Sequence, residues 1–357
     1  MNTVSAATPS ASGRTSAGTR EGWPLKGFRP CASFFETRCG AAFAPVPVVS
    51  EENFTVSEVY VNDAVSLTDR LTIDLGAHGA YDHFLDEAFI EPRVGASYEI
   101  GERLTAYARF GAHHRRPGLD RVLLLGEAAG VQENETSRQA LVGQRWDISG
   151  AWRLQTEAWY KDFTIHDLAG TPIALDIEGE AYGVDVLLAK PVSERLYGWI
   201  AFSYSESERT RRDTNETFDD RFSAPLSATV ALNYAFGDGW RVGAKWRGQS
   251  GAAFTPLRGV GIDPVTERPA LSFGDPFSER LRAYHRLDVR VEKQARYGFG
   301  EVLYYVDILN VTDRENVANR DFPLRNVMRG PDGALDITPD DEEGIPFFVA
   351  VGVNLSF

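Results

Sequence analysis

The sequence predicts an all-β fold, in which long strands form an antiparallel up-and-down transmembrane β-barrel after a disordered N-terminal leader. Three features of the 357 residues predict it: apolar residues recur at spacing two, the segments with this spacing are long, and short connections alternate with long ones. Successive side chains of a strand point to opposite faces, so this spacing makes one face apolar. The sequence has no run of roughly 18 apolar residues that could form a transmembrane helix.

The first fifty residues differ from the rest of the chain. They are rich in Ser, Ala, Thr and Gly and follow neither strand nor helix periodicity. They also contain both cysteines, Cys31 and Cys39, whose spacing matches no metal site. Such a composition is typical of disorder. We therefore predict a disordered leader of unclear origin over 1–50 and a barrel domain over 51–357. Because the leader lacks the apolar run of a secretory signal, we expect an outer-membrane location provided that a signal peptide exists upstream of the given start.

The C-terminal segment shows strand periodicity most clearly. Every second residue is large and apolar, namely Phe347, Val349, Val351, Val353, Leu355 and Phe357. Similar patterns predict about thirteen strands, at roughly 54–62, 70–81, 89–100, 103–112, 137–148, 151–162, 178–190, 195–206, 223–236, 239–250, 282–294, 300–311 and 346–357. Tilted strands that cross a membrane need about 9–11 residues, whereas strands of soluble sheets most often have about 5–6. The lengths here favour the membrane.

The connections between these strands alternate in length. The long ones are 82–88, 113–136, 163–177, 207–222, 251–281 and 312–345, and the short ones are 63–69, 101–102, 149–150, 191–194, 237–238 and 295–299. Outer-membrane barrels have short turns on the periplasmic side and long loops outside the cell. Trp152 and Trp240 follow short turns, and Phe357 ends the chain at the same level. We predict that these three residues belong to the periplasmic aromatic girdle.

The second face of the predicted strands is polar. If the tenth and eleventh strands pair antiparallel, Lys245 could lie opposite Asp288 and Arg241 opposite Glu292. Lys or Arg facing lipid at mid-depth costs about 2–4 kcal/mol, so these rows of charge cannot face lipid. They fit a water-filled lumen, and they fit the solvent face of a soluble sheet equally well.

Five segments carry a family resemblance. They are "GEAYGVDVLLAKPVSERLYGWIAFSYSESER", "WRVGAKWRGQSGAAFTPLRGV", "YHRLDVRVEK", "YYVDILNVTDRENV" and the terminal "VAVGVNLSF". In this order, over about residues 51–357, they resemble the C-terminal part of the barrel of a TonB-dependent receptor. Ala252-Ala253-Phe254-Thr255-Pro256 stands where a Pro-aromatic-Thr-Pro passage is usual in that family, which is a minor departure.

The resemblance implies a barrel of 22 strands around an N-terminal plug, importing scarce nutrients such as ferric siderophores with energy from the TonB complex. About 13 of those 22 strands can be placed here, and the plug and signal peptide have no counterpart. We therefore expect a receptor fragment that engages TonB only if a plug is supplied. The resemblance further implies that Val353, Leu355 and Phe357 form the assembly signal read by the barrel-assembly machinery. Outer-membrane lipid and lipopolysaccharide would surround the wall.

The long-loop ends of the strands carry the candidate ligand contacts. Two short basic runs stand out, and their candidate residues are His113, His114, Arg209, Arg211 and Arg212. The first run could bind an anionic ligand or lipopolysaccharide phosphate, and the second, in the predicted loop 207–222, could bind an acidic siderophore. A solvated basic rim is the alternative for both. The run "DDEE" at 340–343 could bind Ca²⁺ or form a solvated acidic loop.

Composition argues against several other functions. The net charge is −14, from 37 Lys and Arg against 51 Asp and Glu, whereas a nucleic-acid-binding protein needs a basic surface. No Ser, His and acid grouping has the spacing of a hydrolase, so we expect no enzyme and no cofactor. Two alternatives to the receptor remain open: a smaller passive porin or channel of the outer membrane, and a soluble all-β binding protein.

Overall fold

A computed structural model describes residues 55–83, 85–116, 134–149, 152–167, 175–190, 195–220, 223–265, 267–331 and 333–357. The predicted leader, 1–50, lies outside the described residues. The strands of the described part are β1 (Val56–Ser66), β2 (Leu71–Asp82), β3 (Glu87–Glu99), β4 (Leu104–Arg115), β5 (Glu135–Ser149), β6 (Trp152–Asp167), β7 (Leu175–Lys190), β8 (Leu196–Arg211), β9 (Thr217–Asp219), β10 (Leu226–Gly237), β11 (Trp240–Gln249), β12 (Ala253–Phe254), β13 (Leu257–Ile262), β14 (Pro269–Phe273), β15 (Glu279–Arg280), β16 (Tyr284–Tyr297), β17 (Gly300–Leu309), β18 (Val317–Asp321), β19 (Val327–Arg329), β20 (Leu335–Ile337), β21 (Asp340–Glu343) and β22 (Phe348–Ser356).

One large antiparallel sheet dominates the structure. Its strands follow one another in the order β1-β2-β3-β4-β5-β6-β7-β8-β10-β11-β16-β17-β22, and β9 adds to β8. We call this sheet the wall. Each of the thirteen strands in this order overlaps one of the predicted strands, and every pairing along it is antiparallel. The prediction of an up-and-down sheet of about thirteen strands is therefore confirmed.

The wall is open within the described residues. β1 lies at one edge and β22 at the other, and each is paired on one side only. Because thirteen antiparallel strands alternate in direction, these two edge strands run in the same direction. Joining the two edges directly would therefore make a parallel pair, unlike every other pair in the wall.

Connection lengths alternate along the wall from β4 onward, as predicted, whereas the three connections between β1 and β4 have four residues each. The turns at one rim are tight, as at Asp238, which has φ 48° and lies between two glycines that also have positive φ. A Cβ on Gly239 would lie 2.1 Å from the Gln294 carbonyl oxygen, so this turn requires glycine. We call this end of the strands the short-turn rim and the opposite end the long-loop rim. The connection at 83–86 is shorter than predicted, because β2 and β3 extend toward each other.

The long connections fold into small hairpins that the sequence pattern did not predict. β12 pairs with β15 and β13 with β14 in the connection after β11, while β18 pairs with β21 and β19 with β20 in the connection after β17. The buried apolar residues of these two connections include Ala253, Phe254, Leu281 and Ile337. The only helical element of the described part is a 3-10 turn, Leu324–Asn326. No helix among the described residues has the length and apolar character needed to cross a membrane.

The register between β11 and β16 agrees with the prediction. Arg241 lies opposite Glu292 and Lys245 opposite Asp288. Arg241 also donates a hydrogen bond from Nη1 to Glu292 Oε2 at 3.0 Å. The charged side chains of both strands therefore share one face of the wall, and the apolar side chains share the other.

Candidate functional site: the two faces and two rims of the wall

The apolar face forms a continuous band across the wall. One row of directly opposed residues, from β22 to β10, is Val351, Val306, Val291, Val242 and Tyr234. A second row, from β4 to β8, is Ala108, Val142, Ala158, Val184 and Tyr204. In the described structure these side chains are not covered by a second layer: Val351 is 76% exposed and Val142 59%. Soluble proteins rarely expose so large an apolar surface, and hydrocarbon is its fitting solvent.

Aromatic residues lie on this face at the short-turn rim. Trp152 begins β6 and Trp240 begins β11, and Phe357 directly follows β22. Lys190 Nζ lies 5.6 Å from the centre of the Trp152 ring, and Lys293 Nζ lies 5.2 Å from that of Trp240. A lysine that lies along an apolar surface with its ammonium near an aromatic ring suits a membrane boundary. Their role as a girdle stays a prediction.

The three residues of the predicted assembly signal share this face. Val353 lies opposite Tyr304 and Leu355 opposite Val302 on the last pair of wall strands. Phe357 is 92% exposed and continues their alternation beyond the strand. Their side chains are thus presented at the exposed edge of the wall, while their use as a signal remains a prediction.

The opposite face, which we call the lumen face, carries networks of charge. Near the short-turn rim, Arg290 donates to Glu292 Oε1 at 2.6 Å and to Asp307 Oδ2 at 2.9 Å. Its guanidinium lies 4.1 Å from the centre of the Tyr305 ring. With the Arg241 contact to Glu292, two arginines and two carboxylates form one network over three strands. Such groups need water or one another, so this face cannot be lipid-facing.

A second lumen network lies on β4 to β8. Tyr107 donates its hydroxyl to Glu157 Oε1 at 2.6 Å, and Gln155 donates to the same oxygen at 3.0 Å. Further along the wall, Trp159 donates Nε1–H to Asp185 Oδ2 at 2.8 Å. Each of these polar groups finds its partner on the same face of the wall, on its own strand or across one or two strand spacings, so these side chains form a hydrogen-bonded surface.

Glycines let the lumen aromatics lie flat on the wall. A Cβ on Gly183 would lie 2.7 Å from Trp159 Cζ2, and one on Gly143 would lie 2.7 Å from Tyr107 Cζ. Each ring covers the glycine on the neighbouring strand, which offsets the strand-weakening effect of glycine.

At the long-loop rim, His114, one of the two predicted histidines, is held by Glu91, an acid that the sequence analysis missed. The His114 backbone N–H donates to Glu91 Oε1 at 2.5 Å, and the His114 ring stacks on Phe89 with centroids 4.5 Å apart. His78 Nδ1 lies 2.9 Å from Glu91 Oε2. Gly111 lies two residues before His113, and a Cβ added to it would lie 3.1 Å from His113 Nε2. The histidines thus lie on a strand end, β4, as expected, and their binding of a ligand stays a prediction.

The three predicted arginines are paired with carboxylates of the same chain. Their contacts are Arg209 Nε to Asp220 Oδ2 at 2.8 Å, Arg211 Nη2 to Asp213 Oδ2 at 2.8 Å, and Arg212 Nε to Glu178 Oε1 at 2.7 Å. The Arg211 hydrogen bond lowers the pKa of the Asp213 carboxyl in the turn below its usual range. An incoming anion would have to compete with these partners.

The placement of that basic run in a loop was wrong. Arg209 and Arg211 lie on β8, which continues to Arg211. The strand continues because Thr210 lies opposite both Glu178 of β7 and Thr217 of β9, so the backbone ladder persists after the apolar alternation has ended.

The segment "NVTDREN", which is part of the family resemblance, forms a cluster of hydrogen bonds at the end of β17, and we call it the asparagine cluster. Asn310 is fully buried with φ 50°, and its Nδ2 donates to the Arg314 and Ile345 carbonyls at 3.0 and 3.1 Å. Asn316 accepts from the His285 N–H at 2.9 Å and donates to the His285 carbonyl at 2.8 Å. These two side chains fasten the last long connection to the wall.

The acidic run at 340–343 is also engaged by arginines. Arg320 makes a two-pronged contact with Asp341, at 2.7 Å from each nitrogen, and Arg325 Nη2 donates to Asp340 at 2.6 Å. The Arg320 hydrogen bonds lower the pKa of the Asp341 carboxyl. Among the described residues no group of three or more His, Cys, Asp or Glu side chains could hold a metal ion. The contacts favour the alternative of a structural, partly solvated acidic segment.

The comparison with protein families decides between the remaining interpretations. Residues 28–311 match the family model "TonB dependent receptor-like, beta-barrel". The chain belongs to the TonB-dependent receptor family. Members are transporters of the outer membrane and not enzymes, so the predictions of family, membrane location and absence of covalent chemistry are confirmed. The match begins inside the segment predicted as a leader, and the boundary at residue 50 stays a prediction.

Solved structures of bacterial receptors and transporters share the fold at low sequence identity. The ferripyoverdine receptor of Pseudomonas aeruginosa matches with a TM-score of 0.57 at 12% identity over 84% of this chain and 38% of that one. The Escherichia coli outer-membrane transporter YddB matches with 0.56 at 14% over 84% and 45%. The Neisseria meningitidis iron transporter FrpB matches with 0.57 at 13% over 85% and 46%. This chain therefore spans less than half the length of these proteins. Comparison with curated protein sequences finds no significant match.

Proposed function

We propose that this chain forms part of the wall of an outer-membrane receptor that imports a scarce nutrient such as a ferric siderophore. In this proposal the TonB complex supplies energy through a plug, ligand contacts lie on the long-loop rim, and the lumen face borders the path. One observation carries it: the same thirteen strands present an unbroken apolar face to one side and a hydrogen-bonded charged face to the other. The similar solved proteins include a ferripyoverdine receptor and a ferric citrate transporter.

Uptake measurements test the transport proposal. The chain, supplied with a signal peptide, is expressed in a Gram-negative host that lacks its own siderophore receptors, together with a plug and early strands from a related receptor. We expect uptake of a labelled ferric siderophore that stops when TonB is deleted. Uptake that persists without TonB, with entry of small sugars into vesicles that contain the protein, would instead establish a passive channel.

Membrane fractionation and assembly test the remaining parts. We expect the protein in the outer-membrane fraction, in contact with lipid and lipopolysaccharide. Recovery from the aqueous fraction in a folded state would favour the soluble all-β alternative. Deleting Phe357 should reduce insertion by the barrel-assembly machinery, and unchanged insertion would remove the assembly role from this residue.

A further inference from the structure

A hollow of about 310 Å³ opens on the lumen face where β8, β10 and β11 lie side by side. Its lining includes Trp199, Ser227, Thr229, Lys245, Arg247 and Gln249. We call it the cationic hollow. It extends from the middle of β11, at Lys245, to the long-loop end of that strand, at Gln249, and its lining contains none of the basic residues predicted at the long-loop rim.

The two cations of the hollow have no carboxylate partner among the described residues. The acid opposite Lys245 is Asp288, but Asp288 Oδ1 accepts from Arg286 Nε at 2.7 Å and from the Asn310 N–H at 2.9 Å. The residue opposite Arg247 on the same strand pair is Arg286, which has the same charge. Arg247 donates only to the neutral Gln249 Oε1, at 3.0 Å. The hollow therefore has an excess of positive charge, which an anion would neutralise.

The larger hollow of the lumen face provides a contrast. It has a volume of about 800 Å³ and lies between β1 and β6 near the short-turn rim. Its charged residues are Asp69, Arg70, Glu99, Arg109, Arg145 and Glu157. Three arginines are thus balanced by three carboxylates, whereas the cationic hollow has cations alone. The difference marks the smaller hollow as the one suited to an anion.

An aromatic platform flanks the cations. Trp199 is 37% exposed, and its opposite residue on β10 is Ala231, which in turn lies opposite Lys245. The Cα atoms of Trp199 and Lys245 are therefore two strand spacings apart, roughly 10 Å, and the residue between them, Ala231, has only a methyl side chain. Hydroxyls of Ser227 and Thr229 line the same space. A flat ring fits against the indole while its charged substituent reaches Lys245 and Arg247.

We propose that the cationic hollow is a binding subsite for an anionic oxygen group carried on a flat ring. This inference rests on the proposed transport function, in which it would hold such a group of the ligand part-way along the lumen. The chemical class that the cationic hollow would bind is a planar aromatic carboxylate or a comparable oxygen anion.

Salicylate is the probe, and salicylamide is its uncharged counterpart. Binding to the full chain, folded in lipid vesicles, is measured by equilibrium dialysis. We expect salicylate to bind at least about tenfold more tightly than salicylamide, since charge-assisted hydrogen bonds to two cations distinguish them. The double variant Lys245→Gln/Arg247→Gln should lose that preference. Trp199→Leu should weaken salicylate binding while inorganic phosphate, which has no ring, binds as before.

Lys161→Gln is the matched control, because Lys161 is a lumen-facing lysine outside the hollow, 5.4 Å from the Phe163 ring. It should bind salicylate like the unchanged chain, and Lys245→Arg should retain binding because it keeps the charge. Equal salicylate affinity in the chain and the double variant, an equal loss in Lys161→Gln, or no binding at all would overturn the subsite. Intact siderophore uptake alongside any of these results would leave the transport function standing, so the two failures are distinguishable.

Discussion

The two faces of the wall belong to the same hydrogen-bonded strands, but their side chains differ in polarity. On β11, Trp240, Val242 and Trp246 point to one side, while Arg241 and Lys245 point to the other. The apolar side has no covering layer in the described structure, and the lumen side is linked by ion pairs across strands. The contrast shows that the sheet is built for two solvents, hydrocarbon and water, rather than around a core of its own.

The largest effect should come from placing a charge on the wrong face. Val184 and Leu187 lie on β7 with similar exposure, 44% and 36%, but on the apolar and lumen faces respectively. Val184→Lys should lower the free energy of unfolding in vesicles by about 2–4 kcal/mol. Leu187→Lys should have a much smaller effect, because it faces water beside Asp185. Urea titration followed by tryptophan fluorescence measures both, and equal losses would contradict the assignment of faces.

Substitution in the asparagine cluster at the end of β17 should have the next largest effect on stability. Asn310→Ala removes the Nδ2 donor of the Ile345 carbonyl and one of the two side-chain donors of the Arg314 carbonyl, which also accepts from Asn316 Nδ2 at 3.3 Å. The expected loss of stability is roughly 1–3 kcal/mol for the unsatisfied groups. Hydrogen exchange of the last long connection should speed up at the same time. The control is Asn319→Ala, since Asn319 is exposed and makes one contact, with Asp321 at 3.3 Å. If the control loses as much stability as Asn310→Ala, the asparagine cluster does not stabilise the fold more than an exposed contact does.

Close packing of glycine and aromatic side chains on the lumen face gives a third test. In Gly183→Ala the new methyl would lie 2.5 Å from the Tyr204 carbonyl oxygen and 2.7 Å from the Trp159 ring. Relieving this overlap should cost about 1–3 kcal/mol of stability. Gly79→Ala is the control, because its nearest atom, Val59 Cγ1, would be at an ordinary 3.5 Å. The chemical shift of the Trp159 indole N–H, measured by NMR, should move in the first variant only.

The smallest expected effect is a pH dependence outside the membrane. Because the Arg320 contact lowers the pKa of Asp341 in the folded hairpin, its stabilisation is complete above the usual Asp pKa and is lost as the pH falls through the lowered value. The pair is partly exposed, so the effect should be under about 1 kcal/mol. Hydrogen exchange in β18 and β21 should quicken on acidification, and Asp341→Asn should remove that dependence. An unchanged pH dependence in the variant would assign it to another group.

The wall could be predicted from the sequence, and the loops could not. Thirteen strands and the register of Arg241 with Glu292 follow from alternation at spacing two, which two solvents impose over ten or more positions. Hairpins such as β12 with β15 have strands of two residues, too short to show any period. β8 extended past its predicted end because its backbone ladder continues where Glu206 and Glu208 replace apolar residues.

The candidate site was predictable only in part. The basic residues at the long-loop rim were found from the sequence, but their acidic partners Glu91, Asp220 and Glu178 lie on other strands or far along the chain. The alternation in the eleventh predicted strand places Arg286 and Asp288, and likewise Arg290 and Glu292, two residues apart on one face, and each of these pairs is in contact. The cationic hollow depends on three neighbouring strands, and no single segment reveals it.

The most direct test of the central claim is the environment of single side chains in a lipid bilayer. Spin labels are placed in turn at Arg241, Val242, Ala244 and Lys245 of β11, with Cys31 and Cys39 replaced by serine. Collisions with oxygen, which dissolves in hydrocarbon, and with a water-soluble nickel complex are then measured. The account predicts that oxygen dominates at 242 and 244 and nickel at 241 and 245. Equal access of the nickel complex to all four positions would contradict it.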